Sequence, residues 1–199
     1  KSKAEEMDFW TGEEFRKFID SVMNKRLSYM AFMTLYWTGM RLGELLALNP
    51  KDVDLKKRTI SITKSYQRLG KKDVITPPKT PKSKRVITIP EFLAADIKDY
   101  MDSLYDLQED DRLFPITKYY LEHEMQRGIK ESGVKRIRVH DLRHSHASML
   151  IELGFSTLEI ANRLSHEKVE TTLNTYSHLY PNKQTKLAER LDREYKGDL

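Results

Sequence analysis

YMAFMTLYWTGMRLGE, residues 29–44, joins the most apolar run of the chain to an isolated arginine. Residues 29–36 are almost wholly apolar or aromatic, the pattern of a helix buried on all sides. Thr38 and Gly39 then break the chain, and a second helix is expected from Arg41, which puts a guanidinium at a helix start beside a core helix. On the N-terminal side, Thr11 with Glu14 reads as a capping box, and Phe15, Phe18, Ile19 and Val22 recur at helical spacing, so a first amphipathic helix is expected there. On the C-terminal side Pro50, Asp52 and Asp54 mark a turn. After it, residues 59–63 (TISIT) alternate with period two, and residues 74–76 (VIT) and 85–89 (RVITI) are strand-like. These three runs predict a small three-stranded antiparallel sheet. Helical periodicity returns at Glu91 through Leu93, Ile97, Tyr100, Met101 and Leu104, until the acidic run 109–111. The second half reads as nearly all helix over residues 141–153, 156–164 and 171–176. Ser156 with Glu159 is another capping box and Gly154 a C′ glycine. The expected class is α+β, mainly α, in one compact domain.

Composition bounds the function less tightly. The 199 residues carry 35 Lys and Arg against 30 Asp and Glu, a formal charge of +5, which mildly favours polyanionic partners. Basic residues cluster at 79–85 (KTPKSKR) and 135–138 (KRIR), where a phosphate backbone could be neutralised. With no cysteine there is neither a disulfide framework nor a thiolate metal site. No apolar run approaches the roughly 20 residues that span a bilayer, so no membrane association is expected. The chain opens at Lys1 in a polar stretch, KSKAEE, that reads as the end of a linker, so residues 1–10 are assigned as a linker remnant of an excised domain.

Arg41 and Arg143 are two guanidiniums in ordered, partly apolar segments, and arginine in such places needs an anion. Internal salt bridges, Arg41 with Glu44 for example, satisfy that need as readily as a phosphate does. His140 lies three residues before Arg143, so one anion could touch both. His144 and His146 follow. The HxxxH spacing raises a metal site but lacks the glutamate base of a metalloprotease helix, and these two histidines are expected to pack or hydrogen-bond within the fold. Tyr176 stands out among ten tyrosines through its setting, LSHEKVETTLNTYSH. A tyrosine hydroxyl ionises near pH 10, and as a nucleophile it would need cations or a base nearby.

Residues 38–44 (TGMRLGE), 140–144 (HDLRH) and 164–176, with Ser165-His166 leading to Tyr176, stand in the order and near the spacing of the tyrosine recombinase, or phage-type integrase, family. The chain resembles that family over nearly its whole length, most closely the integrases of conjugative transposons and phages. The resemblance implies a helical catalytic domain with a small sheet. It makes Arg41 and Arg143 the pair that binds the scissile phosphate, Tyr176 the nucleophile, and His140 and His166 the rest of the phosphate pocket. Glu44 would support the first arginine. Lys79 matches the family's lysine on a turn between strands and would act as general acid, with Lys82 and Lys84 close enough to compete for that assignment. His140 is one acceptor for the tyrosine proton, and the resemblance leaves the proton route open. Ser165 departs from the glycine the family commonly places before the histidine.

The implied activity is site-specific DNA recombination, the integration and excision of a mobile element, by metal-free and cofactor-free transesterification through a 3′-phosphotyrosine. Lys82, Lys84, Arg85, Arg136 and Arg138 are the expected contacts to the DNA phosphates. Partners implied are double-stranded DNA, further copies in a tetramer on DNA, and an accessory DNA-bending or excision factor. The implied location is the bacterial cytoplasm, at the nucleoid while DNA is bound. Residues 11–180 form the expected catalytic domain, and residues 181–199 a tail or helix that docks on a neighbouring protomer. Two rivals differ in outcome: a type IB topoisomerase relaxes DNA through the same chemistry without exchanging strands, and an accessory protein binds DNA without cutting it.

Overall fold

A computed structural model describes residues 8–77, 83–166, 168–180 and 184–196, the side chains of 184–186 excepted. Helix α1 (Gly12–Val22) starts at the expected capping box: Glu14 N–H donates to Thr11 Oγ1 at 3.2 Å and Thr11 N–H donates to Glu14 Oε2 at 2.8 Å. It buries Phe15, Phe18, Ile19 and Val22, the four residues its periodicity singles out. Phe15 stacks on Tyr36 and Phe18 meets Phe32 edge-on, which seats α1 on α2 (Arg26–Thr38). The core therefore begins before α1. Trp10, expected in the linker, is 1% exposed; its N–H reaches Ser145 Oγ at 2.9 Å and its indole donates to Lys135 O at 2.8 Å. The ordered domain thus reaches upstream of residue 11, because an indole of this size is more stable inside than in water.

Gly39 ends α2 with φ 67°, in the left-handed region that a side chain resists. An added Cβ would also lie 2.5 Å from His146 Cδ2 and 2.8 Å from Leu164 Cδ2, so the position is closed on two counts. Arg41 is then the N-cap of α3 (Leu42–Leu46), as the break at Thr38-Gly39 predicts.

The three-stranded antiparallel sheet is present, with one strand changed. Its order is β1 (Val53–Asp54), β2 (Thr59–Ile62), β5 (Arg85–Thr88), with Ile60 opposite both Val53 and Ile87. The expected strand at residues 74–76 belongs instead to a separate hairpin, β3 (Ser65–Leu69) with β4 (Lys72–Thr76). Tyr66 anchors that hairpin: it is buried, donates to Asp73 Oδ1 at 2.8 Å and lies under the Arg112 guanidinium at 4.2 Å. The hairpin backbone closes on α3, since a Cβ at Gly43 would lie 2.5 Å from Ser65 Oγ and 3.0 Å from Tyr66 O.

Helices α4 (Glu91–Asp102) and α5 (Lys118–Ser132) follow, then α6 (Asp141–Glu152), α7 (Thr157–Leu164), α8 (Val169–Tyr176) and α9 (Gln184–Lys196). The expected capping box opens α7, and Gly154 is the C′ residue of α6, where Phe155 N–H bonds Leu150 O and Gly154 N–H bonds Ile151 O. Most apolar side chains from α1 through Leu142 form one core. Ala147, Ile151, Ile160, Leu164 and Tyr176 form a second, smaller cluster between α6, α7 and α8. Among the described residues no helix is long and apolar enough to cross a membrane.

Candidate active site

Arg41 and Arg143 reach the same place from different elements. Arg41 follows the Gly39 break, and its backbone N–H donates to Glu44 Oε2 at 2.8 Å while Nη1 reaches Glu44 Oε1 at 3.1 Å. The expected Arg41–Glu44 salt bridge is present, yet the Arg41 side chain stays 41% exposed and presents its guanidinium to solvent. Glu44 is buried, and a second arginine holds it: Arg85 donates from Nη1 to Oε1 at 3.0 Å and from Nη2 to Oε2 at 2.9 Å. Burial pushes the Glu44 carboxyl up, but the Arg85 and Arg41 hydrogen bonds and charges together hold it below the usual carboxylate range.

This corrects the role expected of Arg85. Its side chain is only 8% exposed, its forked end is committed to Glu44, and its Nε donates to Arg163 O at 3.1 Å. A DNA phosphate cannot reach a guanidinium so enclosed. Arg85 instead fixes the carboxylate that fixes Arg41.

Arg143, on the first turn of α6, is 4% exposed. Nη1 donates to Gly39 O at 2.7 Å and Nη2 donates to Leu164 O, so one cation caps the C-terminal ends of α2 and α7. A guanidinium has five N–H donors, more than these two bonds use. Burial first, then the charge of Arg41, pull its pKa down to about 9. Two guanidiniums that feel each other's charge, with the one carboxylate already divided between Arg41 and Arg85, make a site short of negative charge.

Tyr176, the last residue of α8, is 1% exposed, and its hydroxyl lies 2.7 Å from His144 Nδ1. Burial raises the hydroxyl to about 12, partly offset by Arg143. His140 precedes α6, faces solvent, and sits edge-on to His144 with ring centres 5.5 Å apart. Desolvation and then Arg143 lower its pKa. His166 follows the α7 turn, with Nδ1 2.6 Å from Thr172 Oγ1, and burial followed by Arg143 and Arg41 bring it down to about 4. The five residues Arg41, Arg143, His140, His166 and Tyr176 therefore converge, with Glu44 behind them.

For His144 the sequence does not give the partner. This histidine was expected to pack or hydrogen-bond within the fold, and its bond goes to the hydroxyl of the expected nucleophile, a place that His140 does not take. The available signal is the spacing: His144 stands one turn from His140 and next to Arg143, so a pocket shared by those two must brush against it. His146 does behave as expected, buried at 1% with Nε2 accepting from Arg163 Nε at 2.9 Å.

Ser165 takes φ 51°, which explains why glycine suits this turn. Its hydroxyl lies 3.4 Å from both Arg41 Nη1 and Arg85 Nη1, a contact glycine cannot make.

Of the remaining basic residues, Lys79 and Lys82 lie outside the described residues. Lys84 and Arg136 are exposed, and Arg138 is exposed but bonded through Nε and Nη2 to Asp141. Arg136 and Arg138 line a cleft of about 390 Å³ that shares Leu42, Lys118 and His140 with a neighbouring cleft of about 510 Å³. The larger cleft runs past Arg41 to Gln67 and Arg68 on the hairpin. Arg68 and Lys118 were not singled out in the sequence; both lie where chain segments distant in sequence meet. Among the described residues no three His, Asp or Glu side chains are placed to hold a metal ion.

Residues 9–183 match the model of the Phage integrase family. The chain is 36% identical over 200 residues to the ICEBs1 integrase of Bacillus subtilis, covering 94% of this chain and 54% of that protein. It is 32% identical over 176 residues to the integrase of Staphylococcus phage L54a, covering 78% of this chain and 49% of that one. The chain thus spans about half the length of the curated relatives it matches. Its fold is similar to the Tn1549 transposon integrase in complex with transposon right-end DNA, with a TM-score of 0.79 at 20% identity over 98% of this chain and 67% of that one. It is also similar to the XerA recombinase, with a TM-score of 0.69 at 21% identity over 98% of this chain and 66% of that one.

Proposed function

The chain belongs to the phage integrase family, and from that membership we propose that it carries the catalytic centre of a tyrosine site-specific recombinase that integrates and excises a mobile element. The observation that carries this reading is the reach of Arg143, whose charge acts on Arg41, Tyr176, His140 and His166 at once. One phosphodiester seated there would touch both arginines and stand beside the tyrosine oxygen. The transition state of phosphoryl transfer gathers charge on its non-bridging oxygens, and prealigned guanidiniums stabilise it without reorganising.

Tyr176 attacks phosphorus, the P–O5′ bond breaks, and a 3′-phosphotyrosine conserves the bond energy for resealing by another 5′ hydroxyl. Lys79 is the general acid proposed for the departing O5′, with Lys82 and Lys84 as its neighbours. No cofactor or metal enters this scheme. DNA would run along the joined clefts, its phosphates met by Arg136, Arg138 and Lys118.

Trp10 moves the proposed catalytic domain to begin near residue 9, and it extends to about residue 180. Helix α9 leaves Leu187, Leu191 and Tyr195 50%, 61% and 92% exposed at helical spacing, which supports its docking on a neighbouring protomer in a tetramer on DNA. An accessory factor that bends DNA or directs excision is part of the same proposal, as is action at the bacterial nucleoid.

The test is a nicked suicide duplex bearing the element's junction, incubated in EDTA with the complete protein and analysed by mass spectrometry of the DNA-linked peptide. An adduct on Tyr176, absent from Tyr176→Phe, is expected. An adduct on another residue, or none, overturns the reading; relaxation of supercoiled DNA without strand exchange would point to a topoisomerase instead.

A further inference from the structure

We propose that His144, through Nδ1, is the catalytic base that takes the proton of the Tyr176 hydroxyl, and that it does so when a phosphate occupies the Arg41–Arg143 pocket. The proposal rests on the recombinase reading above and assigns the proton step that reading leaves open.

Geometry selects His144. Its Nδ1 is 2.7 Å from Tyr176 Oη, within the reach a proton acceptor needs. Among the described residues no other side chain is hydrogen-bonded to that oxygen. His140, the other candidate, meets the edge of the His144 ring, and His166 turns its Nδ1 to Thr172. The charge of Arg143 also acts on the Tyr176 hydroxyl, so a phosphate held by Arg143 comes near an oxygen already hydrogen-bonded to His144.

The surroundings supply the gate. His140, Asp141, Arg143 and Arg138 face His144 from its own helix and the turn before it, Tyr176 faces it from α8, and His166 stands beyond the α7 turn. Burial first, then His140, bring the His144 pKa down to about 4; Asp141 opposes this, and Arg143 and Arg138 add to it. The imidazole is therefore neutral at physiological pH and able to accept. Beside a tyrosine raised to about 12, the pair holds its proton on oxygen while the pocket is empty. A phosphodiester brings negative charge to Arg143 and Arg41, which favours an imidazolium at His144. The hydroxyl proton then passes to Nδ1 as Oη bonds phosphorus and the P–O5′ bond breaks, O5′ taking a proton from the general acid proposed above. In resealing, an incoming 5′ hydroxyl passes its proton to the group that had protonated O5′ and bonds phosphorus, Oη leaves, and Nδ1 returns its proton to Oη. The tyrosine is spared ionisation until there is a phosphate to attack.

The test is single-turnover cleavage of the nicked suicide duplex by the complete protein from about pH 6 to 10, with His144→Gln, His144→Gly and His140→Gln alongside. General-base loss costs about 100-fold or more. His144→Gln should lose that much at pH 7 while binding the duplex as before, and its rate should climb about tenfold per pH unit above 7, as solvent hydroxide replaces the base. Added imidazole should restore part of the His144→Gly rate, which a merely structural defect would not allow. His144→Gln cutting with the unsubstituted pH profile overturns the proposal, and so does the steep profile arising in His140→Gln alone. If the unsubstituted protein forms no Tyr176 adduct, the recombinase reading falls with it; an adduct that forms normally in His144→Gln sinks this proposal only.

Discussion

Arg143 and Tyr176 are both buried, but their bonds differ in kind and number. Arg143 is bonded to Gly39 O at the end of α2 and to Leu164 O at the end of α7, and with Arg41, Glu44 and Arg85 it forms a charged frame that ties α2, α3, β5 and α7 together. Tyr176 belongs to the small cluster of Ala147, Ile151, Ile160 and Leu164, and its eight-residue helix buries only Thr172 and Tyr176 while Val169 and Leu173 stay exposed. At about 1.5–3 kcal/mol for each large apolar side chain buried, such a helix is held by a few kcal/mol, far less than the frame. The lesson is one of division: the proposed phosphate site is a bonded frame, and the proposed nucleophile sits on a lightly buried helix.

Substitutions should separate the two regions. Tyr176→Phe is expected to remove the covalent adduct entirely and to change the urea midpoint by no more than about 1 kcal/mol equivalent, since one hydrogen bond is lost. A large loss of stability would mean that α8 is part of the frame. Glu44→Gln should act in the opposite sense, costing about 3 kcal/mol or more in urea unfolding because it strips the carboxylate from buried Arg85 and from Arg41 together. Cleavage should also fall, through a guanidinium no longer held in place.

Acid should reach the frame through its histidines. His146 lies at about 3 and His144 and His166 at about 4, all below the ordinary value of 6.5, because burial disfavours their charged forms. The unfolded chain therefore binds more protons below about pH 6.5, so their contribution is fully present above that pH and declines as pH falls toward 4. Urea midpoints at pH 7.5, 6 and 5 should fall in that order. His146→Gln should flatten the decline, since a buried His146 is kept neutral in the folded chain. The smallest effect belongs to Ser165→Gly. Relief of φ 51° favours the variant by roughly 1 kcal/mol, and the lost hydroxyl contacts to Arg41 and Arg85 offset part of it, so thermal unfolding should move little or slightly upward.

Much of this division is visible in the sequence. Helices with a full apolar stripe, such as α1 with Phe15, Phe18, Ile19 and Val22, follow from spacing alone, and the settings of the motif arginines and Tyr176 single them out as candidates. The misreadings concern partners distant in the chain. Residues 74–76 are strand-like, but whether they pair with 59–62 or 65–69 depends on a hairpin whose seat is Gly43 and Arg112. Arg85 sits in a basic run and reads as a DNA contact; only the position of Glu44, 41 residues away, turns it inward. Trp10 follows a polar start and gives no sign locally that Ser145 and Lys135 await it. His144 is hydrogen-bonded within the fold as expected, and only the docking of α8 identifies the Tyr176 hydroxyl as its partner.

Native-state hydrogen exchange of the complete protein, read amide by amide, tests this division most directly. The account predicts that the interior amides of Val169–Tyr176 exchange at least about 30-fold faster, after correction for intrinsic rates, than those in the interior of Arg26–Thr38. That ratio corresponds to a local opening about 2 kcal/mol less costly than the opening of the core helix. Equal protection of the two helices would show that the tyrosine is as firmly built in as the arginines, and would contradict the account.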